Sequence, residues 1–175
     1  GGLQKPYDVN KDDFTEIPES RNVTLLPKLF YYFSDSAVLS IGNQFTGQQR
    51  VGGDIEVING NANSAHTYFE KNKSTRNITF ITYEQQLSNG RQLMVKQGFS
   101  YFRRSIALPS YRFSGDQYNS FTDASYLFVK GNHTLIAGAN IYYERFVETN
   151  VLNNNDRSNQ QYTLGLYFQD TWDVN

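Results

Sequence analysis

The chain has 175 residues and no cysteine. A disulfide framework, a thiolate metal site and a cysteine nucleophile are therefore excluded. Its two histidines, His66 and His133, are too few for a multi-histidine zinc site. No run of about 18 apolar residues occurs, so no transmembrane helix is expected. No basic-then-apolar leader opens the chain, so any signal peptide is expected to be missing or already removed. Sixteen basic residues stand against 17 acidic ones, a formal net charge of -1. Polyphosphate partners usually require a basic surplus, so no nucleic-acid partner is expected. No G-x-S-x-G element and no supported nucleophile–base pair is visible, so no enzyme is expected. Helix formers are sparse, and no segment carries an apolar repeat of period 3.6.

What is abundant is aromatic. Thirteen Tyr and 13 Phe supply nearly all of a 15% aromatic content, and these rings favour pleated strands. The expectation is an all-β chain. Strands are expected at 21–33, 36–48, 65–87, 91–104, 118–130, 133–147 and 160–173, about seven in all. Several alternate with period two, as a sheet with one apolar face requires. Leu93, Val95, Phe99 and Tyr101 share a face opposite Lys96, Gly98 and Ser100. Leu135, Ala137, Ala139, Ile141 and Tyr143 oppose Thr134, Gly138, Asn140 and Glu144. Tyr162, Leu164, Leu166, Phe168 and Trp172 line up, with Asp170 the exception on that side. The stretch 76–84 does not alternate cleanly.

The connections carry a second signal. Ser34–Asp35–Ser36, Ser88–Asn89–Gly90 and Gly131–Asn132 are short turn sequences. Long polar stretches at about 49–64, 105–117 and 148–159 lie between them. Short and long connections alternate, which places the long loops on one edge of an antiparallel up-and-down meander. Residues 1–20 form an acidic loop segment before the first strand, and 21–175 form the strand region. Strands of about thirteen residues or more exceed the mode of ~5–6 in soluble domains. Long strands with one apolar face, and loops gathered at one rim, predict a segment of a transmembrane β-barrel. Aromatic residues near strand ends, such as Tyr31, Tyr101, Phe102, Tyr143 and Trp172, suit girdles at the two membrane interfaces. Single-chain bacterial barrels have even strand numbers, so about seven strands make an incomplete barrel. The alternative is a soluble β-sandwich that binds a ligand or glycan and buries the same apolar faces in a core. A mean hydropathy of -0.60 suits a hydrated lumen better than a conventional core.

Three short motifs carry a resemblance. Phe168–Gln169–Asp170–Thr171–Trp172 ends a strand, and Arg50–Val51–Gly52–Gly53–Asp54 stands at the mouth of the first long loop. The acidic run from Asp8 to Glu19 precedes the first strand. Together they resemble the TonB-dependent outer-membrane receptors of Bacteroidetes type. The resemblance implies a barrel of about 22 strands with an N-terminal plug domain. Such a receptor imports a metal chelate (siderophore or cobalamin type) or a glycan across the bacterial cell outer membrane. Its energy comes from the TonB complex acting through the plug, which is not expected within these 175 residues. The chain then reads as an internal fragment of the barrel. Its two open strand edges are expected to self-associate with other copies, and its apolar face to meet membrane lipid.

Candidate site residues follow from charge and spacing. With Asp8 as position one of a twelve-residue calcium loop, Asn10 is three, Asp12 five and Phe14 seven through its carbonyl. Glu16 is then nine and Glu19 twelve, the oxygen positions of a Ca2+ loop. Asp13 stands at position six, where the sharp turn favours Gly, and Thr15 stands at position eight. A solvated acidic linker is the alternative for this segment. Arg50 and Asp54 are expected at a ligand-contacting loop tip, with a flexible turn carrying solvated charges as the alternative. Arg103, Arg104 and Arg112 are expected to meet an anionic chelate or a lipopolysaccharide phosphate, since Arg binds planar anions through paired donors; a plain charge cluster at the rim is the alternative. Lys28, Lys96 and Glu144 are expected on the lumen face.

Overall fold

The computed structural model describes residues 1–88, 90–150 and 156–174. The strands are β1 (Gly2–Gln4), β2 (Glu19–Leu25), β3 (Lys28–Ser34), β4 (Ala37–Gly53), β5 (Phe69–Leu87), β6 (Arg91–Leu108), β7 (Tyr111–Lys130), β8 (His133–Glu148) and β9 (Asn159–Trp172). One short helix, α1 (Ile55–Ile58), follows β4. All nine strands belong to one antiparallel sheet in the order β1-β2-β4-β5-β6-β7-β8-β9, with β3 also paired to β4. β1 and β9 do not pair, so the sheet is an open meander rather than a closed barrel. No helix among the described residues is long and apolar enough to cross a membrane.

Four expected boundaries differ from the fold. The segment 21–33 is two strands, because Pro27 has no N–H to donate to the ladder. β2 and β3 lie end to end along β4, with Val23 opposite Gly47 and Leu29 opposite Ile41. The carbonyl of Pro27 still accepts from Asn43 N at 3.0 Å. The stretch 105–117 is not a long loop. β6 and β7 pair as far as Leu108 opposite Tyr111, leaving Pro109–Ser110 as a tight turn. Likewise β4 runs on to Gly53, so the first long connection is 54–68. Residues 1–20 are not wholly loop, since β1 pairs with β2 and Tyr7 bridges Ile17. In the expected turn at 88–90, Asn89 lies outside the described residues. So do 151–155 of the expected loop at 148–159. The connections at 35–36, 88–90 and 131–132 share one end of the sheet. Gly90 and Gly131 supply left-handed φ values of 69° and 61° there, which L side chains rarely adopt.

The register separates two faces. One row runs Tyr31, Leu39, Tyr83, Val95, Ala124, Ala139, Leu166 across seven neighbouring strands. Each member is apolar or aromatic. The next row, on the opposite face, reads Ser40, Thr82, Lys96, Asp123, Asn140, Gly165. Lys28 and Glu144 also lie on this polar face, as their pairing with Gly42 and Asn119 requires. On β6 the apolar face extends from Leu93 to Tyr101, about 26 Å at the ladder rise per residue. Beyond it, toward the end bearing 54–68, the same face turns polar: Arg21, Gln49, Lys73, Ser105 and Ser114 form one row. Rings flank the apolar zone. Tyr101 lies 5.3 Å from Tyr118 and Tyr143 lies 4.7 Å from Tyr162 on one side. Tyr31–Phe33, Tyr126–Phe128 and His133–Trp172 pair on the other.

A sheet with one apolar face normally buries it against a second layer. Here Ala37 is the single buried hydrophobic residue among those described, while Leu164 and Leu166 are 70% and 81% exposed. Polar groups on the apolar face are satisfied across strands instead. Asn43 donates to Asn77 at 3.1 Å and to Thr79 at 2.9 Å, and Gln97 bonds Ser120 and Thr122. Asp170, the exception in its strand, accepts from the His133 ring at 2.9 Å. On the polar face, rings lie over glycines: Phe80 over Gly42, Phe146 over Gly115 and Tyr167 over Gly138. A Cβ at any of the three would collide with the ring.

Candidate functional site

The polar face carries a cavity of about 430 Å³ near the end bearing 54–68. Gln44, Thr46, Gln48 and Arg50 of β4 line one wall, with Asn72, Ser74 and Arg76 of β5 beneath and Phe102 and Arg104 of β6 opposite. Period-two alternation aims every second side chain of each strand at this space. The Arg76 guanidinium sits 4.7 Å from the centre of the Phe102 ring, a cation–π distance. Arg104 Nε donates to Asn72 Oδ1 at 3.3 Å. Arg50, Arg76 and Arg104 make no ion pair among the described residues.

The expected arginine cluster is therefore divided. Arg103 and Arg104 are neighbours on a strand and point to opposite faces. Arg103 Nε and Nη2 donate to the two oxygens of Asp116 at 2.7 and 2.8 Å, and Tyr101 Oη adds a third bond at 2.9 Å. Asp116 is buried, so Arg103 is held in a bidentate pair. Arg112 lies on Arg103's face, beyond the apolar zone, where its carbonyl accepts from Asn150 Nδ2 at 3.1 Å. Of the five expected ligand contacts, Arg50 and Arg104 share a cavity. Arg76 and Phe102 were not expected there. The uneven alternation of 76–84 conceals Arg76, and Phe102 reads as a girdle ring.

Asp54 does not join Arg50 at a loop tip. It is 3% exposed and caps α1, accepting from Glu56 N at 2.9 Å. Its second oxygen meets His66 Nδ1 at 2.8 Å. Burial pushes the Asp54 carboxyl up, but the bonds from His66 and the backbone N–H groups of Glu56 and Val57, with the imidazole charge, outweigh it. The net shift is downward. The Asp54 hydrogen bond holds His66 above its ordinary value against the opposing pull of burial. The pair closes 54–68 onto itself, which is a structural task. No motif marks His66 for it. A second clamp joins β8 to Arg157, whose Nε reaches Glu148 Oε2 at 2.9 Å and whose guanidinium covers Phe113.

The acidic loop is partly assembled. Carboxylate oxygens of Asp8, Asp12 and Glu16 lie within 4.8 Å of one another. Asp8 accepts from Lys11 N and Asp13 N, and Glu16 accepts from Val9 N at 2.7 Å. Asn10 is bonded to Asp12 through both amide atoms. Asp13 makes the sharp turn at position six with φ 71°, a conformation that Asp tolerates better than most residues. Glu19 does not close the set, because it lies in β2 and accepts from Arg21 Nε at 2.9 Å. Phe14 bridges Asp54. A hard cation that prefers oxygen ligands, such as Ca2+, would be held by the three carboxylates. Comparison with protein-family models, curated proteins and solved structures finds no match.

Proposed function

We propose that the chain is part of the barrel wall of a TonB-dependent outer-membrane transporter for a metal chelate or a glycan. One observation carries the membrane reading: a row of apolar and aromatic residues crosses seven strands, and among the described residues no second layer covers it. Lipid is the medium that makes such a face favourable, and a hydrated lumen accounts for the polar row behind it. The strands from β4 to β9 run 14 to 20 residues, whereas a crossing takes about 9–11. The surplus projects beyond the bilayer at the end bearing 54–68 and the arginine cavity. A two-sheet sandwich would need a facing sheet, and all nine strands lie in one. The transport reading rests on the motif resemblance and on the cavity facing the lumen side. The same reading gives Asp8, Asp12 and Glu16 a Ca2+ ion that stiffens the outer rim.

The test is size-exclusion chromatography and circular dichroism in plain buffer, in detergent and with phospholipid vesicles. The proposal predicts a discrete β-rich species only with detergent or lipid, and aggregates without them through the open edges. A monodisperse monomer in plain buffer, melting cooperatively, would overturn it.

A further inference from the structure

The cavity on the polar face contains uncompensated positive charge. Arg50, Arg76 and Arg104 come from three adjacent strands, and each guanidinium is permanently ionised. By register, Arg50 lies opposite Asn72, Arg104 opposite Ser74 and Arg76 opposite Thr46. Ladder spacings then put their Cα atoms about 8 to 14 Å apart. The other lining residues are neutral, and Glu70, one row closer to the rim, makes no ion pair with Arg50. Elsewhere exposed arginines pair with buried carboxylates, as Arg103 with Asp116 and Arg157 with Glu148 show. Phe102 supplies an apolar floor under Arg76, and the Asn72 side chain orients Arg104. Oriented guanidiniums around an open volume, with no internal counter-charge, suit planar oxyanions bound through paired donors.

We propose that this cavity binds a small polyanion carrying at least two carboxylate or phosphate groups, spread so that two or three arginines engage at once. The inference rests on the transport reading for its biological setting and narrows the cargo. A neutral glycan has no use for three cations, whereas a polycarboxylate chelate neutralises them. The cavity lies level with the Tyr101–Tyr118 ring pair and beyond it toward the loop end, so the anion would be met early on its way in.

The test is isothermal titration of the full chain in detergent, with citrate, pyrophosphate and a neutral maltooligosaccharide as probes. Citrate or pyrophosphate is expected to bind, and the arm that binds more tightly separates a carboxylate cargo from a phosphate-bearing one. Arg76→Gln and Arg104→Gln are each expected to weaken binding roughly tenfold or more, the loss of one charge-assisted contact. Arg91→Gln, at the far end of β6, is expected to leave affinity unchanged. Raised salt should weaken binding through screening. Circular dichroism on each variant confirms that the sheet is retained. No binding by either anion, equal loss in Arg91→Gln, or binding of the neutral sugar alone would overturn the inference and leave the barrel reading standing. Anion binding by a chain that fails to insert into vesicles would support the site and refute the barrel.

Discussion

Replacing Leu166 with Arg separates a lipid-facing surface from a water-facing one. Leu166 occupies the middle of the apolar face on β9, between Tyr162 and Trp172, and its cross-strand partner is Ala139. It is 81% exposed in the chain alone. If water surrounds it, the substitution removes little burial, and surface changes of that kind fall within about 0.5 kcal/mol. If lipid surrounds it, an Arg near the midplane costs about 2–4 kcal/mol. At 1.4 kcal/mol per decade this lowers the folded-to-unfolded ratio roughly 30- to 700-fold. Gln169→Arg is the control, because Gln169 lies on the polar face of the same strand opposite Ile136. Denaturant unfolding in phospholipid vesicles, followed by the emission of Trp172, the sole tryptophan, reads both variants. A Leu166→Arg chain within about 0.5 kcal/mol of the parent, or no worse than Gln169→Arg, would refute the reasoning.

The remaining predictions concern packing, pH and metal. Gly42→Ala should destabilise by about 1–3 kcal/mol, the usual cost of overpacking, because the new methyl would occupy the space of the Phe80 ring; adding Phe80→Leu should restore much of the loss in the same unfolding assay. The Asp54–His66 clamp should have a stability window. His66 is raised, so its contribution is full below the ordinary histidine value and fades as pH rises through the raised one. Asp54 is lowered, so its contribution holds above the ordinary carboxylate value and is lost as pH falls through the lowered one. Amide-exchange protection in 54–60 should peak between those limits, and His66→Ala should abolish its decline at the alkaline side; an unchanged profile would contradict the clamp. Calcium titrated to the millimolar range should bind with Kd near 10⁻⁴–10⁻³ M, roughly the range of weak extracellular sites, and Asp12→Asn should weaken it. A flat thermogram in the parent chain would remove calcium from the account.

The fold was legible where burial medium and ladder agree in period. In 91–101 and 135–143 one face is apolar and the other polar, so alternation in the sequence tracks the ladder directly. It failed at 105–117, where β6 and β7 continue past the apolar zone. There the contrast changes sides: Ser105, Ser114 and Asp116 continue the face that was apolar, while Ile106, Leu108, Tyr111 and Phe113 lie on the face that was polar, although the backbone pairing is unbroken. An alternation that switches faces, interrupted by Pro109–Ser110, then reads as loop. Pro27 shows a different limit: it interrupts pairing without turning the chain, so one expected strand becomes two in line. The arginines were misgrouped by their closeness in sequence: Arg103 and Arg104 are successive residues of one strand and must diverge, and Arg104 meets Arg50 and Arg76 across a register that only strand pairing supplies. The acidic run showed its oxygen spacing, but Glu19 belongs to the ladder of β2 and is engaged by Arg21.

The most direct measurement is an accessibility scan along β9 in lipid vesicles. With no native cysteine, one cysteine at a time from 162 to 168 can carry a nitroxide, and power saturation compares a lipid-soluble with a water-soluble quencher. The account predicts period-two oscillation, with 162, 164, 166 and 168 exposed to the lipid-soluble quencher and 163, 165 and 167 to the aqueous one. Uniform aqueous exposure, or oscillation in the opposite phase, would contradict it.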